Sequence, residues 1–350
     1  MNKRVLLCLL LLFFFLCFTP TAKGLNQADL PQMGSAAAVL MEVHSGTLLF
    51  SVNGDQALPP ASTTKICTAL LALELAGDLD RDYQISEKAA AVEESSIYLQ
   101  AGEFLSLREL LQGALVHSGN DACYAIGEAI AGSEPLFVHW LNQKAAAMGA
   151  YSLNFQNTNG LPAEGHVVSG EDLLRITAKA MEYPFFAETV ASKYTSLGEG
   201  EHYRYFRNTN KLLWQDEHVV GIKTGTTDAA GPCLVSGYEQ GMALFLALVF
   251  NSPDRYGESM TLLRYGADNY VLAQPLLAGE KVAWKEGCFF AAGQDLQALV
   301  ETTDLDRLSL RWYLPDDQGL YRVELCLDGE VLAETPLLKM AQTKEEPEKS

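Results

Sequence analysis

The order in which strand-like and helix-like segments follow one another is the feature that most constrains the fold of this chain. Two strand-like runs, 36–43 and 48–53, flank the turn sequence His44-Ser45-Gly46-Thr47 and predict a β-hairpin near the start. Helix-like segments with a buried face come next, at about 62–77, 106–116, 121–132, 134–148 and 170–182. Three strand-like runs with glycine-containing turns then follow, at 218–226, 232–239 and 243–250. We therefore predict a mixed α/β (α+β) fold in which both chain ends form one antiparallel sheet, flanked by a helical cluster.

The last part of the chain has a different pattern. Residues 257–273 predict a closing helix, and after about residue 276 the sequence contains short strand-like runs only, at 308–314, 321–327 and 331–338. We therefore predict a larger domain over 25–275 and a small all-β domain over 276–340. The end of the chain, 341–350, is charged and contains no apolar face, so it is predicted to be a disordered tail.

The first residues carry the pattern of an export signal. Lys3 and Arg4 precede an uncharged apolar run, 5–18, and small residues follow up to Gly24. The run is shorter than the roughly 20 residues that a membrane-spanning helix needs. We predict a signal peptide over 1–24 and an exported, extracytoplasmic protein, the alternative being an uncleaved membrane anchor.

Charge and cysteine content narrow the classes of function. Loss of residues 1–24 would remove Lys3, Arg4 and Lys23 but no acid, so the formal charge of −19 would become −22. A protein this acidic is a poor nucleic-acid binder, and we expect no nucleic-acid partner. Cys67, Cys123 and Cys233 lie in apolar segments and are predicted to be buried thiols, while Cys288 and Cys326 leave any disulfide pairing open.

The first short motif is S-x-x-K, formed by Ser62, Thr63, Thr64 and Lys65 at the start of a predicted helix. Residues three positions apart share a helix face, so the lysine amine can reach the serine hydroxyl and take its proton. A lysine that acts as a base must be neutral part of the time, which requires burial or a cationic neighbour to lower its pKa. Taken alone, the motif is better explained by an N-cap serine followed by a solvated lysine.

The second motif is Ser118-Gly119-Asn120, which interrupts two helix-like segments. It could be a simple corner between helices, with Asn120 as the N-cap of the next one. Alternatively, Ser118 is a second serine that relays protons, and the Asn120 amide orients the lysine and a substrate carbonyl.

The third motif is Lys223-Thr224-Gly225, within a strand-like run. Strand alternation places Lys223 and Gly225 on one face, and a glycine allows a ligand to lie against the strand. Lys223 and Thr224 could bind a substrate carboxylate. The alternative is an edge-strand lysine that protects against aggregation.

Together, S-x-x-K, S-x-N and K-[ST]-G at 62, 118 and 223 form the ordered set of the penicillin-recognising serine enzymes. Over about residues 36–250 the sequence also resembles low-molecular-mass penicillin-binding proteins, the serine-type D-alanyl-D-alanine carboxypeptidases of peptidase family S11. The stretches that carry this resemblance are LPPASTTKICTALLALE, HSGNDACYAIGE, FVHWLNQKAAAMGAYSLNFQNTNGLPAEGH, NTNKLLW and GIKTGTTDAAGPCLVSG. The resemblance implies a DD-peptidase/β-lactamase-like fold for the larger domain.

The resemblance also implies roles for individual residues. Ser62 would be the acylated nucleophile, Lys65 its base, Ser118 a proton relay and Asn120 the group that holds Lys65 and the substrate amide. Lys223 and Thr224, beside Gly225, would receive the terminal carboxylate of D-alanine, and the backbone N–H groups of Ser62 and Thr226 would form the oxyanion hole. The implied substrate is the peptidoglycan stem pentapeptide, the implied inhibitors are β-lactams, and neither a metal nor another cofactor is implied.

The sequence departs from some relatives in two places. Thr209 stands where some have an arginine before the N-x-LLW segment, and Arg204 and Arg207 are nearby arginines that could replace it. Many relatives end in an amphipathic membrane anchor, whereas this chain ends in TKEEPEKS, so membrane attachment stays open.

Four other functions compete with this assignment. A class A β-lactamase would need a loop glutamate in an E-x-x-x-N context, and Glu164 lacks that asparagine. A transpeptidase or endopeptidase would use the same site with another acceptor or another peptide bond. A catalytically silent wall-binding protein would not need all three motifs. A zinc peptidase is poorly supported, because the six histidines contain no H-E-x-x-H arrangement.

Overall fold

The computed structural model describes residues 30–285, 288–313 and 321–340. The predicted signal peptide, 1–24, and the predicted tail, 341–350, lie outside these residues.

In chain order, the strands up to the end of the central sheet are β1 (Ala37–Glu42), β2 (Thr47–Val52), β3 (Ala57–Leu58), β4 (Asp82–Gln84), β5 (Phe104–Ser106), β6 (Val168–Ser169), β7 (Tyr194–Leu197), β8 (Arg204–Arg207), β9 (Val219–Thr227), β10 (Gly231–Gln240) and β11 (Ala243–Phe250).

The α-helices are α1 (Lys65–Leu75), α2 (Glu87–Ala90), α3 (Leu107–Gln112), α4 (Asn120–Ala131), α5 (Glu134–Ala147), α6 (Gly170–Met181), α7 (Pro184–Ala191) and α8 (Arg255–Asn269). Two short helical turns that are not α-helical also position the site. One is the 3₁₀ turn Ala61–Thr64, which is wound more tightly than an α-helix, and the other is the π-helical turn Gly113–His117, which is wound more widely. Within the described ranges, no helix is both long and apolar enough to cross a membrane.

The central sheet joins the two ends of the larger domain, as predicted. Its strand order is β2-β1-β11-β10-β9, and each neighbouring pair is antiparallel. The N-terminal strand β1 lies against β11, in a register that pairs Ala37 with Phe250. This order places β9, which carries the Lys223 motif, at an edge of the sheet with one side free of strand pairing.

The hydrophobic core lies between this sheet and the helices. Helix α1 is at its centre, because every residue from Lys65 to Ala72 is buried. A helix that is buried on all sides has no amphipathic stripe, which explains why ICTALLALEL is almost uniformly apolar. Lys65 is therefore the exception within this buried stretch, since it is the one residue there of a charged type.

The cysteines in the helices and in the sheet are thiols, as predicted. Cys67, Cys123 and Cys233 are free and buried, and so is Cys326 in the last part of the chain. Burial raises the pKa of the Cys67 and Cys233 thiols, that of Cys233 to about 11, so both stay protonated and pack as small apolar groups.

The last part of the described chain contains only strands and one short 3₁₀ segment. The strands are β12 (Tyr270–Leu276), β13 (Lys281–Lys285), β14 (Cys288–Ala292), β15 (Leu296–Glu301), β16 (Leu308–Tyr313), β17 (Tyr321–Leu327) and β18 (Glu330–Lys339). β12 pairs with β15, and the others form a five-stranded sheet in the order β13-β14-β18-β17-β16. A separate apolar cluster that includes Phe290, Leu296 and Val323 lies within this part. The predicted all-β character is confirmed.

Helix α8 ends earlier than predicted. The helix-like pattern extended to residue 273, but the structure ends the helix at Asn269 and continues directly into β12 at Tyr270. The reason is tertiary pairing: Tyr270, Val271 and Leu272 are hydrogen-bonded neighbours of β15, which overrides the local helical pattern. The hairpin of β7 and β8 and the helix α7 were also not predicted, because their segments are short.

We propose that the boundary between the two parts of the chain falls after Asn269 rather than at residue 275. A chain that ends at Asn269 should still be acylated by penicillin, because none of the three motifs lies beyond it and because the truncation removes β12 together with its partner strand. A chain that ends at residue 275 should be less stable, since it keeps most of β12 without β15. Thermal unfolding and labelling with a fluorescent penicillin would test both. A folded Asn269 truncate that fails to label would contradict the proposal.

Candidate active site

Ser62 lies in the 3₁₀ turn Ala61–Thr64 directly before α1, which we call the nucleophile turn. Thr63 Oγ1 donates a hydrogen bond to Pro60 O at 2.7 Å, and Thr64 Oγ1 donates one to Ala61 O at 2.8 Å, so both threonines brace the turn. The N-cap positions are Pro60 and Thr64, and neither side chain caps a helix. The alternative that Ser62 is an N-cap is therefore wrong. Its hydroxyl instead lies next to Lys65.

Lys65 is held by three oxygen atoms. Its Nζ atom is 2.9 Å from Ser62 Oγ, 2.8 Å from Asn120 Oδ1 and 2.7 Å from Asn159 O. The Asn120 and Asn159 oxygens are carbonyl oxygens and can only accept hydrogen bonds, whereas the Ser62 hydroxyl can donate or accept. A neutral Lys65 amine that donates to both carbonyls has its lone pair left for the Ser62 proton. Among the three described partners of this amine, the serine is therefore the one that can give it a proton, as a base requires.

Burial changes the proton affinity of Lys65 in the direction that a base requires. The side chain is fully buried, so the predicted alternative of a solvated lysine is wrong. Removal from water lowers the pKa of Lys65 to about 8, although nearby acidic groups such as Asp121 raise it. At pH 7 about one such lysine in ten would be neutral, compared with roughly one in 2,500 for an ordinary lysine.

The Ser118-Gly119-Asn120 segment is a strained corner. The chain leaves the π-helical turn at Ser118, whose φ of 72° lies in the left-handed region that serine rarely adopts. Asn120 is the first residue of α4 and not its N-cap. Its Nδ2 donates to Glu93 O at 3.0 Å, so its Oδ1 is turned to Lys65. The corner thus aims the Asn120 amide at the lysine, and the alternative that Asn120 is an N-cap is wrong. The contact of Asn120 with a substrate carbonyl stays a prediction.

Ser118 itself is buried and lies two residues before Asn120. Within the described residues, no hydrogen bond joins its hydroxyl to Ser62 or Lys65. The proton-relay role of Ser118 therefore stays a prediction.

Strand β9 places the third motif against the nucleophile turn. A Cβ atom on Gly225 would lie 2.9 Å from Ser62 N and 3.0 Å from Ala61 Cβ, so only a glycine allows this close approach. Thr224 Oγ1 donates to Thr209 Oγ1 at 2.7 Å, and Thr226 follows on the same strand edge. The structure thus brings Gly225 to the amide of Ser62.

Lys223 is not the solvent-exposed lysine of a protected edge strand. It is fully buried, and its Nζ donates to Thr224 O at 3.0 Å. Burial and, secondly, the charge of Lys65 hold the pKa of Lys223 well below its usual range. The two lysines are therefore close enough to influence each other, although no hydrogen bond joins them.

Sequence reasoning missed Arg255, the first residue of α8. Its Nη1 donates to Gly225 O at 2.9 Å and to Thr226 Oγ1 at 2.8 Å. Neither of the predicted arginines lies there, because Arg204 pairs with Glu103 and Arg207 stacks on Trp214. One feature of the sequence could have indicated Arg255. A cation in the first turn of a helix is disfavoured by the helix dipole, so its presence there suggests a role outside the helix.

A loop between α5 and α6 also contributes to the site. It supplies Asn159 O to Lys65 and Thr158 O to Thr68 Oγ1, at 2.7 and 2.6 Å. These contacts use backbone carbonyls, which any residue type provides, so no sequence motif could have shown them.

His166 fixes the end of this loop to the nucleophile turn. Its Nδ1 accepts from Gln156 N at 3.0 Å, so Nε2 carries the proton and donates to Thr64 Oγ1 at 2.9 Å. Burial lowers the pKa of His166 to about 4, which keeps it neutral at physiological pH. Among the described residues, no group of three or more His, Cys, Asp or Glu side chains is arranged to hold a metal ion.

Acylation should depend on the deprotonated form of Lys65. We expect the second-order rate constant for acylation by penicillin to rise about tenfold per pH unit up to pH 8 and then to level off, because only the neutral amine accepts a proton. Stopped-flow measurement with a fluorescent penicillin would show this profile.

Two variants test the same base. Lys65→Arg should lose nearly as much activity as Lys65→Ala, since arginine keeps the charge but does not deprotonate in a protein. Circular dichroism would confirm that both variants fold. Near-normal acylation by the arginine variant, or a flat pH profile of the parent protein, would show that Lys65 gives electrostatic support only.

Comparison with known proteins agrees with this geometry. The chain is 29% identical to the D-alanyl-D-alanine carboxypeptidase DacF of Bacillus subtilis (strain 168), an alignment that covers 96% of this chain and 93% of that protein. It is 28% identical to the D-alanyl-D-alanine carboxypeptidase DacC of Escherichia coli (strain K12), covering 95% and 90%. The fold matches penicillin binding protein 5 from Haemophilus influenzae with a TM-score of 0.75 at 26% identity, covering 91% of this chain and 99% of that one.

The family assignment rests on the larger domain. The family described as D-alanyl-D-alanine carboxypeptidase, peptidase family S11, matches residues 24–254, which include all three motifs. The likeness to penicillin binding protein 5 confirms the predicted DD-peptidase fold with its C-terminal β domain. This chain belongs to the S11 family of D-alanyl-D-alanine carboxypeptidases.

Proposed function

We propose that this protein removes the terminal D-alanine of peptidoglycan stem pentapeptides through an acyl-enzyme on Ser62. The observation that carries the proposal is the placement of Lys65. Its amine is buried between two carbonyl acceptors, and Ser62 Oγ is the one of its three described partners that can donate a proton. Family membership supports the reaction class, and the predicted export signal supports action on the outer side of the cytoplasmic membrane.

In the first step, Ser62 Oγ attacks the carbonyl carbon of the penultimate D-alanine as its proton passes to Lys65 Nζ. Negative charge develops on the carbonyl oxygen, and the backbone N–H groups of Ser62 and Thr226 stabilise it. The peptide bond then breaks. The leaving D-alanine amine takes a proton, delivered from Lys65 directly or through Ser118. Water later cleaves the ester and returns the proton to Ser62.

The carboxylate of the leaving D-alanine would lie beside Thr224 Oγ1 and the Arg255 guanidinium. Arg255 is only half-buried, and its bond to Thr226 Oγ1 holds it at the edge of β9. Lys223 is completely covered and bonded to Thr224 O, so it would act on the carboxylate through its charge rather than through a direct contact in this state.

The described contacts favour a carboxypeptidase over a class A β-lactamase. Glu164, the loop glutamate, is exposed, and among the described residues no hydrogen bond joins it to Ser62 or Lys65. The loop presents the Asn159 carbonyl to the lysine instead. A carbonyl cannot take a proton from an attacking water, so this loop offers no general base for deacylation.

Penicillin should therefore acylate Ser62 once and leave slowly. The opened β-lactam keeps its leaving group tethered, so water cannot approach as it does after D-alanine departs. We expect a single stoichiometric burst with little further loss of drug, and D-alanine release from a pentapeptide muropeptide. Ser62→Ala should show neither. Several penicillin turnovers per second would favour the β-lactamase, and a folded protein with labelling but no D-alanine release would contradict the carboxypeptidase.

Gly225→Ala should weaken acylation without unfolding the protein. The new Cβ would press on Ser62 N, a predicted oxyanion donor, at 2.9 Å, and on Pro60 O at 3.1 Å. Loss of one oxyanion donor costs about a hundredfold in rate. The matched control is Gly77→Ala, where the Cβ would meet nothing within 4 Å. An acylation rate equal to that of the control would show that the close approach of β9 is not needed for the reaction.

A further inference from the structure

A cavity of about 320 Å³ opens next to the nucleophile turn. Its walls include Pro60 and Ala61 from the turn, Thr227 and Ala229 from the end of β9, and Leu161 and Glu164 from the loop between α5 and α6. Most of the lining is apolar, and the buried His166 is neutral. Among the described residues that line the cavity, Glu164 is the one that carries a charge at neutral pH.

The loop wall of the cavity is built before any ligand arrives. Asn157 Oδ1 accepts from Gly160 N at 2.8 Å, and Asn157 Nδ2 donates to Leu161 O at 2.9 Å. Asn154 Nδ2 donates to Gly165 O at 3.0 Å, directly after Glu164. These side-chain bonds to the backbone fix the loop on both sides of the glutamate, so its carboxylate projects from a defined position.

The Glu164 carboxylate is available for a ligand. The residue is exposed, and no salt bridge involves it in the part of the chain that the structure describes. Glu171, by contrast, is already paired: it accepts a hydrogen bond from Ser51 Oγ and forms an ion pair with Arg175.

The proposed reaction fixes the direction in which a peptide crosses this site. With its terminal carboxylate at Thr224 and Arg255, a peptide that pairs with the free edge of β9 extends past Thr226 towards Thr227. The residue that precedes D-alanyl-D-alanine therefore comes next to Thr227, where the cavity begins.

We propose that this cavity binds the side chain of the residue that precedes D-alanyl-D-alanine, that this side chain is an alkyl stem with a terminal amino group, and that Glu164 pairs with its free ammonium form. The inference rests on the proposed function. Apolar walls suit the alkyl stem, and the single carboxylate suits the cation at its end. A cross-link through that amino group removes the charge. Glu164 thereby makes the enzyme prefer stem peptides that are not yet cross-linked through this residue.

Two peptides that differ only in this charge test the proposal. The first is Nα-acetyl-L-Lys-D-Ala-D-Ala, with a free ammonium group, and the second is the Nα,Nε-diacetyl peptide. We expect kcat/KM for D-alanine release to be about fivefold higher for the first, the size of a favourable exposed ion pair. The preference should decrease as salt screens the pair.

Charge variants make the test specific to Glu164. In Glu164→Gln the ratio of the two kcat/KM values should fall to about one, and in Glu164→Lys it should fall below one. The matched control is Glu330→Gln, which removes the same charge from an exposed position on β18 and should keep the fivefold ratio.

The outcomes separate the two proposals. Release of D-alanine from both peptides with a ratio near one in the parent protein overturns the role of Glu164 but not the carboxypeptidase. A preference that survives in Glu164→Gln, or that is lost in Glu330→Gln, also overturns it. Release from neither peptide by a folded protein overturns the proposed function itself.

Discussion

The burial of one amine, Lys65 Nζ, is the constraint on which the site depends. Taking an ammonium out of water costs several kcal/mol even after the surroundings relax, so it must be surrounded by acceptors or lose its proton. Three different segments supply the oxygen atoms: the nucleophile turn, the Ser118 corner and the loop that holds Asn159. Each segment is held in place by hydrogen bonds that do not involve the Lys65 amine. The fold determines the position of the amine and lowers its pKa.

The central sheet contributes to the active site through its edge strand, β9. Because β9 is an edge strand, its outer side can pair with a peptide, and because Gly225 has no side chain, the strand can lie against Ser62 N. A strand in the middle of the sheet could offer neither. The pairing of β1 with β11 determines which edge of the sheet is free. It places the N-terminal hairpin of β1 and β2 beside β11, so the opposite edge, β9, has no strand paired on its outer side.

The sequence allowed the sheet, most helices and the three motifs to be predicted, since hydrophobic periodicity and short motifs record burial and side-chain chemistry. It did not show that Ser62 lies within a 3₁₀ turn rather than at the N-cap of α1, because N-cap serines produce the same pattern. Nor did it reveal Asn159, whose contribution is a backbone carbonyl, or Arg255, whose partners lie about thirty residues away on β9. Contacts of this kind depend on tertiary position, and residue type alone does not encode them. The early end of α8 has the same origin.

The charges of the site explain how a strongly acidic protein can bind a carboxylate. The formal charge is −19, yet Lys65, Lys223 and Arg255 all lie around the strand edge of β9. Burial lowers the pKa values of both lysines, and the charge of Lys65 lowers that of Lys223 further, so a proton on both at once is disfavoured. A substrate carboxylate beside Thr224 would favour the charged form of Lys223, and a charged Lys223 in turn disfavours a proton on Lys65. Binding of the substrate would thus help to keep the base neutral, so that Lys65 is ready to accept the Ser62 proton when a peptide is in place.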